Sequence, residues 1–181
     1  MIHLKKIAFI YAALGAFVYA PSVNAHVVFA ETTAKTGAYY FGFLRVGHGC
    51  EGAATTAVTV QIPEGIYAAK PQPKAGWETI IEWQALPEPV AGPHGKTQTK
   101  RVASLTWEGG VLDDSMFDQF GVQVKLPQEA QTLYFPVVQK CGDKEVRWDM
   151  IPEPGKAWHS VSKPAPMLEI ANPSFMSDAH H

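Results

Sequence analysis

The chain reads as an all-β protein, one antiparallel sandwich or barrel. Three observations predict it. Fourteen prolines and fifteen glycines cut the 181 residues into short runs. Those runs are rich in β-branched and aromatic residues, with turn formers between them. Several also alternate apolar and polar residues, as a strand with one buried face requires.

In the run 55–62, Val58, Val60 and Ile62 fall on one face and Ala57, Thr59 and Gln61 on the other. In 119–126 the apolar side is Phe120, Val122, Val124 and Leu126. Further strands are expected over 38–46, 77–83, 100–107, 132–140 and 145–150. Gly142-Asp143 joins the last two as a hairpin turn. The stretch ALPEPVAGPHGK (85–96) reads as a Pro/Gly-rich loop, and 109–118 as the place for one helical turn. From residue 153 onward the chain is rich in proline and serine and reads as a flexible tail over 153–181.

The first 25 residues stand apart from this pattern. Lys5 and Lys6 precede an apolar run over 7–20, which is too short and wrongly flanked for an ordinary spanning helix. Val23 and Ala25 then supply the small residues of a cleavage site. This is the form of a secretory signal peptide. Removing 25 of 181 residues leaves 156, enough for one domain over 26–152 followed by the tail. Lys5 and Lys6 leave with the signal, so 13 basic residues face 17 acidic ones, a formal net charge of −4. No basic stripe invites nucleic acid, and no second apolar stretch offers a membrane anchor in the mature chain.

Cys50 and Cys141 are the two cysteines. In a periplasmic or secreted chain they read as one disulfide, closing a loop of about 90 residues, worth on the order of 4–5 kcal/mol. A thiolate metal site is the rival reading. The expected cut would make His26 the first mature residue. An N-terminal histidine offers two nitrogens, its α-amine and its ring Nδ1, to a single ion. Nitrogen-rich sites suit Cu(II), which heads the affinity order of the divalent first-row metals. The amine must lose a proton to bind, so affinity should fall with pH. RVGHGCEG (45–52) supplies further candidate ligands in His48 and Glu51, on a loop that a bond at Cys50 would hold still. Trp148, in the strand after Cys141, is placed to wall such a site.

The AHV start, RV…HGCEG…TT…IPEG, KPQPKAGW, LTWEGG and EVRWDMIP, in this order, resemble the YcnI-like family, long catalogued as a domain of unknown function. The resemblance spans roughly residues 26 to 152. It implies an immunoglobulin-like β-sandwich, exported to the periplasm or cell surface. It also implies Cu(II) held by a mono-histidine brace on His26, with a carboxylate completing the site and Trp148 close by. Glu51 is the natural carboxylate. The family pattern lacks HGC, however, and the alignment there is ambiguous by one residue, so His48 stands as an extra or replacement ligand.

The function expected is a copper chaperone, store or sensor that works with other copper-handling periplasmic or membrane proteins, and not an enzyme. One alternative is a copper monooxygenase that pairs His26 with a second histidine, His48 before His94 or His159. The other is a sandwich that binds no metal. Met167, Met176, His180 and His181 mix thioether and imidazole donors in the tail and raise a separate question of metal binding there.

Overall fold

The computed structural model describes residues 26–92 and 96–172. The expected signal peptide, His94, Met176, His180 and His181 lie outside them. Twelve strands are described: β1 (Val28–Phe29), β2 (Thr33–Lys35), β3 (Tyr39–Val46), β4 (Thr55–Gln61), β5 (Ala69–Pro71), β6 (Glu78–Ala91), β7 (Thr97–Leu112), β8 (Asp118–Lys125), β9 (Gln131–Tyr134), β10 (Val137–Cys141), β11 (Lys144–Trp148) and β12 (Met167–Ala171). They form a four-stranded sheet β1-β3-β8-β5, a five-stranded sheet β11-β10-β4-β7-β6 and a small sheet β2-β12-β9. Every pairing is antiparallel except β12 with β2.

The alternation seen in the sequence turns one face of each large sheet inward. Val58, Val60 and Ile62 meet Phe120, Val122, Val124 and Leu126 in a single core, with Leu44, Leu105 and Trp107 among the fully buried residues. Trp107 can be buried because its indole N–H donates to the carbonyl of Gln72 at 2.8 Å, and its ring meets Phe120 edge-on at 5.5 Å. An immunoglobulin-like sandwich with the Cys50–Cys141 disulfide is therefore the observed fold.

Four local expectations need correction. The run expected as one strand over 132–140 is two strands in different sheets. Pro136 has no N–H to continue a ladder, while the Phe135 N–H turns to the carbonyl of Pro166 and the Pro136 carbonyl accepts from Gln61. The supposed loop 85–96 is strand as far as Ala91. β6 is an edge strand, and its register shift between Ala85 and Val90 lets Pro87 and Pro89 sit where no ladder donor is needed. At 109–118 there is no helical turn: β7 runs to Leu112 and the chain reverses through a turn in which the Met116 N–H bonds the Asp113 carbonyl.

The largest correction concerns the tail. Residues 153–172 return to the domain. Trp158–Ser160 forms a 3₁₀ turn, and β12 buries Leu168 and Ile170 between β2 and β9. The alternating MLEIA is only five residues long and follows two prolines, so it carries little strand signal of its own. Its partners are supplied from more than 30 residues away.

Candidate metal site at the cleaved end

β1 pairs antiparallel with the end of β3, Val28 opposite Arg45. This register brings His26 level with the loop that leaves β3 after Val46, the loop carrying His48 and Cys50. Val27 is buried in the core, and alternation leaves the His26 ring half-buried at the rim.

The His26 ring contacts two tryptophans. Trp148 meets it edge-on, with ring centroids 5.7 Å apart, and Trp158 does so at 5.3 Å. Trp148 was expected here. Trp158 was not, because it belongs to the segment read as a flexible tail. The segment is tied down by paired bonds between Met150 and the strand-like stretch 163–165, and by the Trp158 indole donating to the Ala165 carbonyl at 2.7 Å. Met167 lies in the same region. It lines a small apolar hollow of about 130 Å³ with Val28, Phe29, Thr32 and Trp158, so it is part of the sandwich.

His48 approaches Trp148 from another side, at 6.5 Å between centroids. Its Nδ1 faces the carbonyl of Gly49, which can only accept. Nε2 lies outside that contact. Gly49 is required in this loop: a Cβ there would lie 1.8 Å from the carbonyl oxygen of Ala53, which bonds across the turn to Cys50. The Gly49 N–H donates to Asp114 Oδ1 at 2.9 Å, so the turn after β7 braces the loop.

The organiser of this end is Gln139, whose side chain is fully buried. Its Oε1 accepts from the Trp148 indole at 3.0 Å. Its Nε2 donates to the His48 carbonyl and to Thr55 Oγ1, each at 2.7 Å. One amide thus holds the tryptophan and the histidine loop in register, two residues from the disulfide at Cys141. Nothing singled out Gln139 in the sequence. The available signal was its phase: in β10 it points inward with Val137 and Cys141, and a polar residue on a buried phase must have partners.

Glu51 is placed differently from the other expected ligands. It sits at positive φ (51°) within the turn that Cys50 and Ala53 close, with its carboxylate 3.1 Å from Lys144 Nζ and its side chain 83% exposed. His26 and His48 both lie near Trp148, and Glu51 pairs with Lys144 at the surface. Among the described residues no three His, Cys, Asp or Glu side chains cluster as a metal site. The His26 and His48 imidazoles each lie beside the Trp148 indole. The α-amine of His26 would join them only after cleavage. His159 is exposed on the 3₁₀ turn.

The model of a family described as a domain of unknown function, DUF1775, matches residues 26–170. None of the curated proteins matches the chain. Among solved structures, an uncharacterized protein from Nocardia farcinica, described as having an immunoglobulin-like fold, is 28% identical. The match covers 81% of this chain and 99% of that one, with a TM-score of 0.61. The match begins at His26 and runs into β12, so the family domain takes in both tryptophans that contact the histidine, and the chain belongs to the DUF1775 family.

Proposed function

We propose that the protein is exported and binds Cu(II) at His26 once the signal peptide is removed, holding or delivering copper to other copper-handling proteins of the periplasm or cell surface. The observation that carries this reading is the position of the His26 ring, half-buried and edge-on to Trp148 and Trp158, at the first residue after the expected cut. His26 would hold the ion through its α-amine and Nδ1. His48, with its Nε2 outside the Gly49 contact, is the favoured additional ligand over Glu51, which pairs with Lys144 at the surface. The indoles of Trp148 and Trp158 limit water at the site. The disulfide accords with an exported chain.

EPR of the Cu(II)-loaded mature protein tests this. A nitrogen-rich axial spectrum is expected, lost in His26→Ala and altered in His48→Ala. A spectrum that survives His26→Ala, or an affinity unchanged when the α-amine is acetylated, would overturn the reading. The second histidine beside Trp148 favours one other reading, a copper-dependent monooxygenase. That reading requires peroxide formation from O2 by the copper-loaded protein with an added reductant, followed by oxidation of a substrate.

A further inference from the structure

The segment that carries Trp158 to His26 is clamped at its base and lightly held at its tip. Met150 and Pro164 form a parallel bridge. The Met150 N–H donates to the Lys163 carbonyl at 3.1 Å, and the Ala165 N–H to the Met150 carbonyl at 2.9 Å. Pro152 and Pro164 are buried at the two ends, where their rings fix the backbone. Between them, residues 153–163 are exposed, except for Trp158 and Val161, which are half-buried. The backbone bonds of this stretch are local, from Lys156 to Glu153 and from Ser160 to Ala157. Among the described residues no ion pair ties it to the sandwich. A surface loop with its ends held together in this way is an Ω-loop.

What holds the loop down is Trp158. Its indole N–H donates to the carbonyl of Ala165, a fully buried residue on the sandwich side of the clamp. Its ring meets His26 edge-on and lines the hollow shared by Val28, Phe29, Thr32 and Met167. Trp148 is the opposite case. It ends β11, is 5% exposed, and its N–H is received by the buried Gln139 amide. One of the two indoles on His26 is thus part of the core, and the other is the main anchor at the tip of an exposed loop. Few buried contacts and a solvated backbone mark a segment that opens locally, without unfolding of the sheets. Releasing Trp158 breaks one hydrogen bond and lifts one ring. The clamp at Met150 and the ladder of β12 stay in place.

We propose that residues 153–162 are a strap over His26, latched by Trp158, and that its opening sets how fast the His26 ring meets solvent and exchanges a bound ion. Closed, the strap shields the ion from water and competing ligands. Open, it exposes the ion to a partner protein. Retention and release are then separated by a loop motion that changes no ligand. The use of this motion rests on the copper reading of His26; the motion itself does not, so the two are tested apart.

The first measurement is hydrogen exchange of the indole N–H groups in the metal-free mature protein, followed by NMR in low urea. The Trp158 N–H should exchange about tenfold or more slowly than a free indole, at a rate that low urea leaves unchanged. The Trp148 N–H should be slower still and should accelerate with urea, because it waits on exposure of the core. Carbethoxylation of the His26 ring by diethyl pyrocarbonate, read by peptide mass spectrometry, should be about fivefold faster in Trp158→Ala. The strap is overturned if both indoles accelerate with urea in parallel, if the Trp158 N–H exchanges like a free indole, or if His26 is no more reactive in the variant. With Cu(II) bound, loss of the ion to excess EDTA should be about tenfold faster in Trp158→Ala; equal rates would overturn its control of exchange. Failure to bind Cu(II) at all would sink the copper reading alone, since the two metal-free measurements decide the strap.

Discussion

The two ends of β3 are built to opposite rules. At the Val46 end, every polar group around Gln139 is partnered, a disulfide closes the loop, and the adjoining turn after β7 braces it. At the Tyr39 end, roughly 20–25 Å away along the strand, a buried amide oxygen is left without a donor beside an open cavity. A satisfied network fixes the position of the side chains it holds. An unsatisfied group costs stability and fixes nothing. The same residue type, glutamine, takes the first role at position 139 and the second at position 98.

The largest expected effect comes from removing the staple at the first end. Replacing Cys50 and Cys141 together by Ala should lower stability by about 4 kcal/mol in urea unfolding, because a loop of some 90 residues is freed in the unfolded chain. Copper affinity should fall as well, since His48 loses its anchored loop. Next is Gln139→Leu, expected to cost about 2–4 kcal/mol by stranding the Trp148 N–H, the His48 carbonyl and the Thr55 hydroxyl. Its counterpart Gln98→Leu should have the opposite sign. Losing an orphaned acceptor stabilises the free protein, by about 1 kcal/mol, read as a raised midpoint in the same urea experiment. If both glutamine variants destabilised equally, the contrast between the two ends would fail. The smallest effect is expected for Glu51→Gln, less than about 1 kcal/mol for an exposed ion pair with Lys144. Cu(II) affinity by calorimetry should be unchanged in that variant; a loss would return Glu51 to the ligand set.

Much of the sandwich was legible because strand alternation is a property of adjacent residues. Val58, Val60 and Ile62 had to face one way wherever their strand lay, and Phe120 to Leu126 likewise. The Gly142-Asp143 hairpin was equally local: Gly142 takes positive φ (62°), which glycine adopts without strain, and Cys141 pairs with Lys144 across it. The breaks were harder to read. Pro136 splits a run of apolar residues between two sheets, and only the partners of Phe135 and Pro136 reveal that the chain changes sides. β12 was missed for a related reason. A five-residue strand flanked by prolines has no identity until β2 and β9 provide a ladder on each side.

The sequence by itself determined the all-β class, the cysteine pair and the histidine behind the expected cut. These follow from composition, period and neighbours along the chain, whereas Trp148 near that histidine was implied by the family resemblance. Only the tertiary structure decided that Trp158 also packs on His26, that Gln139 ties Trp148 to the His48 loop, and that Glu51 pairs with Lys144. Each of these is a contact between segments far apart in sequence. Its existence depends on sheet register and on where a loop returns, and no local pattern carries that information.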